Sequence, residues 1–134
     1  MNVIGKIENL YLYEKLSDNI LTDEVILTEK QIKHIIERRG EKFYNEYFPL
    51  FLDILNNPDY IFRDNKPSTA LVSKTIASDG KNINIVLKLA VKGEHKNYKN
   101  SIITVIKEND SRFAQRLRNN QDKLIYSKSI DKKE

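Results

Sequence analysis

His34 is one of two histidines in a chain of 134 residues, and in ILTEKQIKHIIERRG it is followed by Arg38 and Arg39. Helix positions i and i+4 are neighbours, so His34 and Arg38 share a flank with Arg39 beside them. An imidazole takes or gives a proton near neutral pH, and a guanidinium holds phosphoryl oxygens in a planar fork. The spacing therefore suits an acid/base group over a bound phosphate. Ordinary helix chemistry accounts for the same residues differently: cations in a last turn complement the macrodipole, and a flank histidine commonly bonds a carbonyl or solvent.

Two lysines lie inside expected strands. If Ala70, Val72 and Ile76 point into the core, strict alternation sends Lys74 the same way, where an ammonium requires a partner or a wet cleft. A bulge would turn it outward. Lys88 alternates against the stripe Ile83, Ile85, Leu87, Leu89 and Val91, so it faces away from the core. Were both lysines on the open face, that face would be the floor of an anion site. Ser101 and Thr104 fall on opposite faces by parity and meet one phosphate only if Ser101 belongs to the preceding loop. That loop, KGEHKNYKN, interleaves His95, Lys96 and Lys99 with Tyr98, which suits phosphate pairing and stacking on single-stranded bases. A purely structural polar hairpin would have a similar composition.

These residues need elements to position them. Val3 to Tyr13 and Ile20 to Leu27 read as an N-terminal strand pair around a turn at SDN, residues 17–19. Thr28 with Gln31 makes a capping box that opens a helix carrying Ile32, Ile35 and Ile36, and Gly40 ends it. A second helix spans about 41–56, kinked or split by Pro49. Strands follow at Tyr60 to Arg63, Thr69 to Ile76, Ile83 to Val91 and Ser101 to Lys107, with a hairpin at SDGKN. A short helix from Asp110 to Asn119 turns Phe113 and Leu117 inward and Arg112, Arg116 and Arg118 largely outward. A last strand covers Lys123 to Ser127, and SIDKKE reads as a frayed tail. The expectation is a single α+β domain: an N-terminal strand extension over 1–27, then N-terminal helices packed on an antiparallel β-meander, with a short helix before the last strand.

Composition bounds the chemistry. There is no cysteine, which excludes disulfides and thiolate sites, and two histidines without an HExxH pattern argue against zinc. No metal or cofactor is expected. The net charge is +4, but residues 1–30 hold 3 Lys against 6 Asp/Glu, leaving 20 basic against 13 acidic residues, or +7, over the rest. Such a bias favours a polyanionic partner, though a lysine-rich solvated surface has the same composition. No apolar run approaches the roughly 18 residues of a membrane span, and the start lacks a signal peptide's apolar region. The expectation is a cytoplasmic protein.

In their order, VILTEKQIKHIIERRG, NNPDYIFRDNKPSTALVSKTI, INIVLKLAVKGEHKNYKNSIITVIK and LIYSK resemble the phage-associated nuclease-like families of the barnase/EndoU/colicin/RelE superfamily, from about Glu24 to Lys128. The resemblance implies His34 as the helical histidine, Lys74 as the basic residue near the end of its strand, Ser101 and Thr104 as site hydroxyls and Tyr126 as the aromatic of the last strand. It also implies metal-independent RNA cleavage through a 2′,3′-cyclic phosphate. Relatives often place a second histidine where this chain has Arg39. That departure leaves a Lys, a Tyr or His95 for the second acid/base role.

The leading expectation is thus an endoribonuclease of a phage, mobile element or toxin system. His34 would act as base or acid, with Lys74, Arg38 and Lys88 stabilising the transition state, and Arg39, His95, Lys96, Tyr98, Lys99 and Tyr126 holding RNA. The alternatives are a nucleic-acid-binding module that cleaves nothing, or a phage structural or interaction protein. An acidic inhibitor or immunity protein would be the matching protein partner.

Overall fold

The computed structural model describes residues 2–17 and 19–128. SIDKKE, with residue 18 of the expected SDN turn, lies outside them. Thr28 accepts from the Gln31 N–H at 3.2 Å, and the Gln31 side chain accepts from the Thr28 N–H at 3.3 Å. This completed capping box opens α1 (Glu29–Arg39). Gly40 closes α1 at φ 96°, a conformation that an L side chain rarely adopts. Pro49 splits the next helix as expected, giving α2 (Glu41–Tyr47), a 3₁₀ turn over Phe48–Leu50 and α3 (Phe51–Asn56).

The fold is mixed α+β around one seven-stranded sheet. Its strands are β1 (Val3–Lys6), β2 (Glu24–Ile26), β3 (Tyr60–Arg63), β4 (Thr69–Thr75), β5 (Asn82–Lys88), β6 (Asn100–Glu108) and β7 (Leu124–Ser127), in the spatial order β1-β2-β6-β5-β4-β3-β7. β3 to β6 form the antiparallel meander, and β7 returns antiparallel to β3. The N-terminal strands are shorter than expected, with a 3₁₀ turn over Leu10–Tyr13. Even so, β1 and β2 pair antiparallel, and β2 joins the same sheet parallel to β6 through Val25 and Ile26.

One sheet face carries the main core. Ile83, Ile85 and Leu87 of β5, with Ala70, Val72, Ile102 and Val105, pack with Ile35, Phe51, Ile54 and Leu55 of the N-terminal helices, all buried. Each such aliphatic side chain contributes roughly 1.5–3 kcal/mol of hydrophobic stabilisation. The other face is only partly covered. There α4 (Asp110–Asn119) seats Phe113 and Leu117 on Phe62, Leu71, Val86 and Leu124, leaving the β5–β6 end of that face open. No helix among the described residues is long and apolar enough to cross a membrane.

Candidate nucleic-acid interface

The open face is built by three strands in register. Lys88 of β5 sits opposite Thr69 of β4 and Ser101 of β6, and Val86 sits opposite Thr104. Parity predicted Ser101 and Thr104 on opposite faces. That expectation is corrected by a β-bulge: the register shifts between Val86 and Leu87, whose partners are Thr104 and Ile102, so Ile103 is an extra residue on β6. One inserted residue restores the facing of everything beyond it, and both hydroxyls join Lys88 on the open face.

Two hollows lie over this surface. A cavity of about 710 Å³ is lined by Thr69, Val86, Lys88, Ile103 and Thr104 together with Lys66 and Glu94. A smaller one of about 250 Å³ is lined by Lys88, Ser101, Glu94, Tyr98 and Lys99. Because Lys88 and Glu94 border both, the hollows form one groove. The 92–100 loop makes its wall, with the His95 and Tyr98 rings 5.9 Å apart and His95 Nδ1 accepting from the Asn97 N–H at 3.1 Å. Asn100 ties the base of that loop down, accepting from the Ala90 N–H at 2.9 Å and donating to the Thr22 carbonyl at 2.8 Å. His95, Lys96 and Tyr98 are exposed.

Two of the groove's cations, Lys88 and Lys99, are answered. Lys88 Nζ donates to the Leu89 carbonyl at 2.8 Å and to Glu94 at 3.2 Å, and Lys99 pairs with Glu24. Glu94 also accepts from the Val91 N–H at 2.9 Å. That bond, with Lys88, holds its carboxyl below the ordinary range against the opposing push of burial. Lys99 likewise lowers the Glu24 carboxyl. Residue-type reasoning passed over Glu94, although it stands in the quoted loop; nothing in a loop sequence says which lysine a carboxylate will meet.

Helix α1 borders this groove. β2 pairs with β6 only at Asn100 and Ser101, so the rest of that β6 edge has no strand beside it, and α1 covers it. Ser101 Oγ donates to Gln31 Oε1 at 3.3 Å, and Arg39 Nε donates to the Val105 carbonyl at 3.3 Å. The helix therefore runs alongside β6 in the same direction. At about 100° per residue, Gln31, His34 and Arg38 fall within about 60° of each other, on the flank opposite Ile32 and Ile36. A rise of about 1.5 Å per residue sets His34 level with roughly Ile102–Ile103 and Arg38 with Thr104. His34 is half-buried, Arg38 is exposed, and neither has a hydrogen-bond or ion-pair partner among the described residues. Arg39, by contrast, is a structural residue of the sheet edge.

Three expectations fail here. Lys74 alternates onto the core face, opposite Ile83, and its ammonium donates to the Asn57 carbonyl at 2.6 Å, so it cannot join Lys88. Tyr126 packs against the main core from β7, at the far edge of the sheet, roughly 19 Å from β6 at four interstrand steps. Arg116 is not outward: it forks onto Glu108 at 2.9 and 3.0 Å. Glu108 is buried and also accepts from Asn84 Nδ2 at 2.5 Å, while Asn84 accepts from Ser73 at 2.5 Å. This polar row beneath α4 escaped the sequence because its members lie on three different strands and a helix.

A family model described as phage-Barnase-EndoU-ColicinE5/D-RelE like nuclease2 matches residues 4–127. The chain belongs to that family. No curated protein and no solved structure matches it. The match takes in β2 and most of β1 as well as the meander.

Proposed function

We propose that this member of the nuclease-like family is a metal-independent endoribonuclease working in the groove between α1 and the open sheet face. The observation that carries the reading is the Ser101–Gln31 hydrogen bond, which ties the helix flank bearing His34 and Arg38 to the surface bearing Lys88, Ser101 and Thr104. In the reaction, the RNA 2′-oxygen loses its proton to a base and attacks the adjacent phosphorus. The bond from phosphorus to the 5′-oxygen breaks, and an acid protonates that leaving oxygen, yielding a 2′,3′-cyclic phosphate and a 5′-hydroxyl. His34 supplies one of these proton transfers. His95, on the loop that walls the groove, is the candidate for the other. Arg38 and Lys88 stabilise the charge on the pentavalent phosphorus, and the two hydroxyls bond its oxygens. The family description supports a phage-borne setting, in which a toxin role and an acidic inhibitor partner are natural.

Purified protein incubated with mixed RNAs and excess chelator should give cyclic-phosphate ends, and His34→Ala should slow cleavage by roughly 10²-fold or more. An unchanged rate in the variant removes His34 from the mechanism. A second reading, a binding module without catalysis, is favoured by one observation: Lys88 and Lys99 already hold carboxylate partners. Salt-dependent RNA binding with intact product would select it.

A further inference from the structure

The cations best able to hold a backbone phosphate lie at the other end of the same face. Where the β3–β4 connection meets α4, a cavity of about 170 Å³ is lined by Arg63, Arg116 and Lys123, with Asp64 as its one carboxylate. Arg63 donates to the Lys15 carbonyl at 2.9 Å and Lys123 to the Asn65 amide oxygen at 2.9 Å. Arg63 sits opposite Ala70 of the main core, so its side chain turns to the other side of the sheet, whereas Lys123 has a neutral partner and no ion pair among the described residues. Lys66 is exposed, and its side chain has no partner among the described residues. Arg116 is held in place by Glu108 and presents its remaining N–H groups from a fixed fork.

Asp64 borders both this cavity and the 710 Å³ hollow, which makes the two continuous. The floor between them is apolar: Pro67, Val86, Val91 and Ile103. At the opposite end stands Tyr98, exposed beside Lys99. The face thus runs from Lys66 and Lys123, which have no carboxylate partner among the described residues, over an apolar floor, to the exposed ring of Tyr98. Single-stranded nucleic acid is the ligand whose phosphates and bases alternate in that way.

We infer that the groove continues to the β3–β4 connection and binds single-stranded RNA as an extended strand, with a phosphate held by Lys66, Arg116 and Lys123 remote from the reacting one and a base lying over Val86 and Ile103. The inference rests on the proposed function in taking RNA as the ligand. It adds an anchoring site at a distance from the chemistry, one that favours longer substrates over short ones.

The test uses 2′-O-methyl oligoribonucleotides, which cannot form the cyclic phosphate, in fluorescence anisotropy at several salt concentrations. The native chain should bind a hexanucleotide more tightly than a trinucleotide. Lys66→Glu/Lys123→Glu should abolish most of that gain, weaken hexanucleotide binding about tenfold or more and flatten the salt slope by about two. Lys66→Glu alone, which alters a side chain with no hydrogen-bond or ion-pair partner among the described residues, should lower the slope by about one. Lys42→Glu, an equal charge change on α2, should do neither. If the double variant matches the Lys42→Glu control while the native chain binds, the anchoring site is wrong and the nuclease reading survives. If the native chain binds no oligonucleotide, both fall.

Discussion

Glu94 closes over Lys88: its carboxylate lies 3.2 Å from the ammonium at the centre of the groove, on a loop whose base is fixed by Asn100. A phosphate entering there must displace that carboxylate from the lysine.

Glu94→Gln should therefore strengthen oligonucleotide binding. An exposed ion pair is worth about 0–1 kcal/mol, so the gain should be up to about fivefold, with little change in thermal stability. The pair is also pH-dependent in a defined direction. The Glu94 carboxyl is held below its ordinary 4.5, so its contribution is complete above that value and is lost as pH falls through the lower folded value. Native chain and Glu94→Gln should converge in binding only on that acid side; binding titrations of both across pH would reveal it.

Lys74→Ala separates the two faces of the sheet. Because its amine caps the Asn57 carbonyl on the core side, cleavage should stay within about twofold of native while the midpoint of denaturation falls slightly, by about 1 kcal/mol for one lost hydrogen bond. A loss of activity as large as that of His34→Ala, with stability intact, would return Lys74 to the site.

Glu108→Ala should destabilise by about 3 kcal/mol, since it strips Arg116 of its partner and leaves the Asn84 amide short of one acceptor beneath α4. Burial pushes the Glu108 carboxyl up, but Arg116 and Asn84 outweigh it and the net shift is downward from 4.5. Its stabilisation is therefore present above the ordinary carboxyl range and disappears as pH falls through the folded value. Denaturant curves of the native chain and Glu108→Gln should differ most near neutrality and close up in acid.

Gly5→Ala tests how β1 is docked. Gly5 has φ 155°, and an added Cβ would run into the Leu52 side chain. Leu52 must swing away, so the loss should be about 1–3 kcal/mol by thermal or chemical unfolding, with RNA cleavage per folded molecule unchanged.

The primary sequence by itself determined the local devices. The Thr28–Gln31 capping box, the Gly40 stop, the break at Pro49, the Asp110–Asn119 helix and the alternation that sends Lys88 to the open face and Lys74 to the core are all set by neighbours within a few residues. Each depends on periodicity or cap chemistry that acts over one or two turns. Tertiary structure alone decided which chemical groups meet. A single extra residue at Ile103 put Ser101 and Thr104 on one face, and parity cannot anticipate a bulge. The parallel β2–β6 pairing left the β6 edge for α1 to cover, which brought Gln31 to Ser101 and took Arg39 out of the site. Glu94 and Glu108 met cations a few residues away through the path of one loop and one strand-to-helix turn, and Tyr126 was carried to the far edge of the sheet through strand order, which depends on how the whole chain closes its core rather than on any short stretch of it.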